Sequence, residues 1–402
     1  MTAGPASLPT VREFQPYRPV VPSGLPSERA LPAPGRPRLR TTFTWAVVVV
    51  VTGACALVTI AAITRVTGVL GLVTGTALAA IPAVPVIAAY FWLDRYEAEP
   101  GALLAVAFAW GAGVATLGAL LVNTASLAAI RDAGGDPSTT VLVVAPITEE
   151  AFKGAAVLIV LLLRRREFDG VVDGLVYAGF AGIGFAFVEN VLYLGRGFAN
   201  GEGSALAVVF VVRCLVSPFA HPLFTGAIGV GVGLAVRSRH LVVRVLAPVG
   251  GFLVAVVLHA AWNLSALSGL SGFLGVYVAV QVPIFACCVA LAVLVRRREG
   301  RLIGRQLAVY ARTGWLTRAE VSMLASLSRR REARAWAERT GGRAARDAMR
   351  DFQDFGSELA FLRDRMIHGT AASDAGVQEL ALLAGMSDRR ATFLPSAVVI
   401  KE

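Results

Sequence analysis

From residue 42 to residue 295 the chain is a succession of apolar runs, each long enough to cross a lipid bilayer. A run of about 18 or more residues with few charges reads as a spanning helix, because hydrocarbon offers no partner to an unpaired backbone group. The runs cover roughly residues 42–64, 69–93, 101–125, 140–163, 170–194, 205–236, 243–265 and 272–295. The predicted fold class is therefore all-α, a polytopic transmembrane helix bundle of about eight spans. The sixth run is too long for one straight helix and carries Arg213 and Pro218, which predicts a tilted or broken segment. Charged residues are only 16% of the chain, well below the roughly 25% of soluble domains, so an ordinary soluble enzyme is excluded.

The flanks differ from this core. Residues 1–40 hold nine of the 19 prolines and no apolar run, which predicts a disordered cytoplasmic tail without a signal-peptide core. The membrane core is expected over 41–296. A small, basic, helical cytoplasmic region is expected over 297–402, where Val321, Leu324 and Leu327, and Leu359, Phe361 and Leu362, suggest amphipathic helices. Thr317 and Glu320 have capping-box spacing. With the N-terminus inside, the cytoplasmic loops receive Arg95, Arg164 to Arg166, Arg237, Arg239, Arg244 and Arg296 to Arg298. The other side receives Arg65, Arg131 and Arg196. This asymmetry predicts eight spans in the plasma (inner) membrane with both termini cytoplasmic. The net charge of +11 is then a matter of topology and anionic lipid rather than nucleic acid. Cys55, Cys214, Cys287 and Cys288 all lie inside apolar runs and read as small apolar residues.

Charged side chains inside such runs cost about 2.5–3.5 kcal/mol each on insertion scales, so they mark function. Glu149, Glu150 and Lys153 lie in the fourth run. Lys153 is one of only two lysines among 38 basic residues. Glu149 and Lys153 are four apart, share a face and can pair, which leaves Glu150 about 100° around the helix for acid–base work. In the fifth run Phe185, Glu189 and Tyr193 share a face, with Asn190 beside them. His221 lies in the sixth run; His259 and Asn263, four apart, lie in the seventh. All fall toward one end of their spans. Two carboxylates, two imidazoles and an amide facing one cavity can activate water and stabilise an oxyanion.

These segments resemble the PrsW family of intramembrane proteases, within the larger group that includes the Abi and CAAX prenyl proteases. The resemblance rests on Asp94-Arg95-Tyr96-Glu97-x-Glu99-Pro100, Glu149-Glu150-x-x-Lys153 and Phe185-x-x-x-Glu189-Asn190. It continues through His221-Pro222-x-Phe224-Thr225-Gly226 and His259-x-x-Trp262-Asn263, so that it covers residues 85–295. It implies an intramembrane endopeptidase that cleaves a membrane-anchored protein near the outer face, with an anti-sigma factor as the substrate type. Carried over by position, Glu149 and Glu150 supply the general base, Glu189, His221 and His259 complete the site, and Asn263 holds water or the oxyanion. The metal stays open: Glu189, His221 and His259 could bind a divalent ion such as zinc, but there is no His-Glu-x-x-His spacing. The alternatives are a proton-coupled transporter, which would show inverted repeats and a polar path through both membrane halves, and a non-catalytic membrane scaffold. No repeat is visible, and the inner halves of these spans are almost wholly apolar.

Overall fold

The computed structural model describes residues 39–164, 168, 170–201 and 203–394. All but the last two residues of the expected Pro-rich tail lie outside them. The described secondary structure is helical throughout, and the chain divides into two units, Gly35–Arg298 with Ile367–Ala372, and Glu299–Met366 with Ser373–Glu402.

In the first unit, α1 (Leu39–Leu93) is two limbs joined at Gly68, whose φ of 68° breaks the helix. Trp45 and Leu93 nevertheless share one apolar cluster. A straight helix would hold them roughly 70 Å apart, so α1 is a helical hairpin. Next come α2 (Gly101–Asp132), α3 (Ala145–Leu163, entered through the π-helical turn Thr140–Val144) and α4 (Val171–Ala199). After these, α5 (Gly203–Phe210) continues as a π-helical stretch Val211–Val216, which stops at Ser217. The chain resumes as α6 (Ala220–Val236), α7 (Leu241–Leu267), α8 (Gly269–Val276) and α9 (Val282–Arg312).

Among the described residues, six helical segments are long and apolar enough to cross a membrane. The first of them contains both limbs of α1. The segment with α3 falls outside these six because it carries three charged residues, Glu149, Glu150 and Lys153. Allowing for both, the eight expected runs are all present as helix. The outward surface is apolar, with Leu57, Val69, Leu162 and Leu241 all widely exposed. Only hydrocarbon tolerates so large an apolar surface, and the chain is a multi-pass membrane protein. The break expected in the sixth run occurs at Ser217, just before Pro218.

The central helix is α4, with 72% of its most apolar stretch buried. Small residues let its neighbours approach to backbone contact. A Cβ on Gly182 would lie 2.8 Å from Pro222 Cα and 3.0 Å from the His221 carbonyl carbon, so this glycine sets how near the start of α6 can come. Gly182→Val is expected to lower the melting temperature of the detergent-solubilised protein by several degrees, following an overpacking cost of about 1–3 kcal/mol. An unchanged melting temperature would mean that α4 and α6 do not touch here.

The second unit contains the end of α9, α10 (Arg318–Leu324), α11 (Leu327–His368, interrupted at Gly342) and α12 (Ala375–Phe393). Ile303, Leu307, Leu324, Phe352, Leu359 and Met386 form its interior. Thr317 caps α10 as its spacing predicts: Glu320 N–H donates to Thr317 Oγ1 at 3.1 Å, and Thr317 N–H donates to Glu320 Oε2 at 2.7 Å. Buried Arg330 donates to the Leu324 carbonyl and to Ser357 Oγ.

Candidate active site

The first turns of α3 carry the centre of the site. Glu150 and Lys153 have no exposed surface, and Glu149 is buried. Lys153 Nζ donates to Glu150 Oε1 at 2.5 Å. This overturns the expected Glu149–Lys153 pairing. Glu150 points into the bundle, where Thr225 of α6 donates to Oε2 at 2.9 Å and His259 Nδ1 lies 2.9 Å from Oε1. With both oxygens engaged, the charge of Glu150 is fully matched, as a buried ion pair requires. Lys153 Nζ also lies 3.1 Å from His221 Nδ1 and 4.4 Å from the Phe185 ring centroid.

These contacts fix the tautomers. An ammonium is a donor only, so His221 Nδ1 accepts, Nε2 carries the hydrogen, and it donates to Glu189 Oε2 at 2.8 Å. Glu150 Oε1 is an acceptor, so His259 Nδ1–H donates, and in the neutral ring Nε2 keeps its lone pair. That lone pair lies 3.6 Å from Glu149 Oε2, a buried oxygen with no hydrogen-bond partner. Two acceptors face each other, an arrangement complementary to a water hydrogen or a cation. The other oxygen of Glu149 accepts from Asn123 Nδ2 at 3.3 Å, and Thr148 holds Asn123 by donating to its Oδ1 at 2.8 Å.

The face expected on the fifth run is present on α4. The Phe185 ring lies 5.3 Å from that of His221, Glu189 meets His221, and Tyr193 lies under Arg213 at 4.5 Å. Arg213 also bonds Glu189 and donates through Nε to Asn190 Oδ1 at 2.7 Å. The sequence marks Arg213 only as a helix irregularity and singles out neither Asn123 nor Thr148, while Thr225 stands in the His221 motif. The signal for Arg213 was an arginine inside Val-Val-Phe-Val-Val-Arg-Cys-Leu-Val, where insertion is costly unless a carboxylate waits. A recess of about 10 Å³ adjoins Asn190, Arg213, His221 and Trp262, about the room one water needs. Asn263 is placed elsewhere. Its Nδ2 donates to the Val141 carbonyl at 2.8 Å, bracing α7 against the turn that leads into α3.

Among the described residues, Glu149, His221 and His259 form a buried group whose ligand atoms all lie within 4.8 Å of one another. The sequence reading named Glu189 in place of Glu149. Arg213 and His221 engage Glu189, whereas Glu149 keeps a free oxygen. One carboxylate and two imidazoles suit a borderline ion such as zinc, and Glu150 on His259 Nδ1 is the outer contact that fixes a ligating ring. These donor types suit a divalent metal, but His221 is committed at both nitrogens, Nδ1 to Lys153 and Nε2 to Glu189, so an ion on all three residues would require His221 to release one of these contacts.

Comparison with known proteins bears on this arrangement. Residues 99–288 match the model of the PrsW family intramembrane metalloprotease. That stretch of the membrane core is therefore similar in sequence to the PrsW family. The Protease PrsW of Clostridioides difficile (strain 630) is 30% identical over 155 residues, 38% of this chain and 63% of the relative. That of Geobacillus kaustophilus is 31% identical over 161 residues, 39% of this chain and 66% of the relative. The chain thus spans just under two thirds of the length of these curated relatives. No solved structure matches. The PrsW-like stretch holds every residue of the cluster, whereas the second unit lies beyond it.

Proposed function

We propose that this protein is an intramembrane endopeptidase that hydrolyses a peptide bond of a membrane-anchored protein. The observation that carries this reading is the facing pair of Glu149 Oε2 and His259 Nε2. A water held there has one oxygen ready to take its proton and an imidazole to orient it, which is the first requirement of peptide hydrolysis. Glu149 is the general base in this reading. It accepts the proton as the water oxygen attacks the carbonyl carbon, then returns it to the leaving amine. Arg213 borders the small recess and supplies N–H groups toward which the oxyanion can develop. Glu150, Lys153, Glu189 and Asn263 position the machinery. In the alternative with a divalent ion, Glu149, His221 and His259 would hold it, Glu149 then serving as a ligand rather than the base, and the ion would supply Lewis acidity.

The finer features belong to the same proposal. The arginine asymmetry supports a bacterial inner-membrane location with both termini cytoplasmic and the site in the outer half of the bilayer. The likeness to PrsW supports kinship with the Abi and CAAX prenyl proteases, and an anti-sigma-factor-like substrate in regulated intramembrane proteolysis. A transporter reading lacks support. Val157 and Val160 of α3 pack with Val176, Phe180 and Ile183 of α4 in one buried apolar cluster.

The test compares protein termini in membranes of cells carrying wild type or Glu149→Gln at matched levels, with and without a chelator. A single-pass protein cut only by wild type is expected. Identical termini at equal expression would refute the protease. Loss of the cut with chelator and its return with zinc would establish the metal, and an unaffected cut would assign hydrolysis to the carboxylates alone.

A further inference from the structure

A second, larger cavity opens beside the site. It measures about 230 Å³, and its walls come from the chain break at Ser217, the start of α6, the C-terminal half of α7, the π-helical stretch Tyr277–Gln281 that joins α8 to α9, and the start of α9. The lining is apolar, with Leu223, Phe224, Leu258, Ala261, Tyr277 and Phe285 its main contributors. Tyr277 donates to the Val216 carbonyl at 2.8 Å, so the helix break is pinned to the far wall.

The cavity shares residues with the catalytic cluster. Phe224 forms its wall and stacks on His259, with ring centroids 5.3 Å apart. Ala220, immediately before His221, borders both this cavity and the small recess, as do Ser217 and Pro218. A peptide carbonyl held near His221 and His259 would therefore bring a neighbouring side chain to the mouth of the cavity. An apolar cavity of about 150 Å³ accepts a benzene ring, so this one has room for a leucine, methionine or phenylalanine side chain. No ionised group lines it, and a charged side chain there would be desolvated without a partner.

We infer that this cavity is the specificity pocket of the enzyme, taking a large apolar side chain next to the scissile bond of a membrane-anchored protein. The inference rests on the proposed peptidase activity. The break at Ser217 matters to it, because it leaves α5 and α6 separated where an extended substrate strand must lie beside His221. Substrates would then be recognised by a leucine- or phenylalanine-sized residue at one fixed position, in a segment able to unwind at the membrane face.

The test uses the full chain in native membranes and the terminal comparison above, adding Ala261→Trp, which fills the cavity from a residue outside the cluster. Each identified substrate is then scanned over the two residues on either side of its cut. Wild type is expected to require a large apolar residue at one of these positions. Ala261→Trp should reduce cleavage there roughly 10–200-fold, the range for a small steric misfit in an apolar pocket, and should favour glycine, alanine or serine at the same position. Val280→Ala, which enlarges the cavity, covers the case in which the tryptophan variant misfolds, and should improve cleavage beside tryptophan. Equal slowing of every substrate by Ala261→Trp, with no shift in Val280→Ala, would mean that lipid or packing occupies the space and would overturn the pocket. Wild-type cutting without preference at any scanned position would also overturn it while leaving the peptidase intact. Identical termini in wild type and Glu149→Gln would remove both.

Discussion

Glu149→Gln is expected to abolish substrate cleavage, by roughly 10²–10⁴-fold or more, and to leave the unfolding midpoint unchanged or raised. The reasoning starts from what the amide can do in place of the carboxylate. Its oxygen still accepts from Asn123 Nδ2, which lies 3.3 Å from Glu149 Oε1. Its NH₂ replaces an oxygen that has no partner and faces the lone pair of His259 Nε2 at 3.6 Å. Two facing acceptors become a donor and an acceptor, so the fold gains a hydrogen bond as the site loses its base.

Glu150→Gln should behave in the opposite sense. Both oxygens of Glu150 are already engaged by Lys153, His259 and Thr225, and an amide there strands a buried ammonium. The expected result is a lowered unfolding midpoint, with activity lost through the disturbed His259. Measuring cleavage and detergent-phase unfolding on both variants separates the two glutamates. A stable, active Glu149→Gln would remove Glu149 from the chemistry.

The elements and their order were legible from hydrophobic run length, because the bilayer imposes a minimum span that composition reveals directly. So was the break before α6, where Pro218 removes a donor within a run too long for one helix. The site was legible as a set of residues because charges inside apolar runs are costly, and this cost is a property of sequence alone. The pairing was not. Spacings of three and four on a helix are both within reach, and the choice of Glu150 over Glu149 as the partner of Lys153 depends on Thr225 and His259, which arrive from α6 and α7. Asn263 shows the same limit. Its spacing from His259 places it on one helical face, but one turn along the axis brings it to the Val141 carbonyl instead of the carboxylates. Depth within a span resists reading when helix ends are uncertain by a few residues.

Lys153→Met should be the most destabilising single change in the membrane unit. Lys153 has no exposed surface and holds Glu150 at 2.5 Å and His221 Nδ1 at 3.1 Å. Methionine fills much the same volume, so the loss is electrostatic rather than one of packing. Removing one partner from a buried pair costs about 3–5 kcal/mol, because the remaining charge stays desolvated. The second loss is the tautomer. Without the ammonium, nothing compels His221 Nδ1 to accept, and the Nε2–H that faces Glu189 is no longer fixed. The double variant Glu150→Gln/Lys153→Met removes both charges together, and its unfolding cost should fall short of the sum of the two single costs by roughly 0.5–3 kcal/mol. The measurement is SDS-titrated unfolding of the detergent-solubilised protein for the four members of the cycle. Additive costs would mean that the two side chains do not interact, and the arrangement of His221 and His259 around them would then need another cause. A recovered midpoint without recovered cleavage would show that the ion pair fixes the site's geometry, and that its charges also serve the reaction.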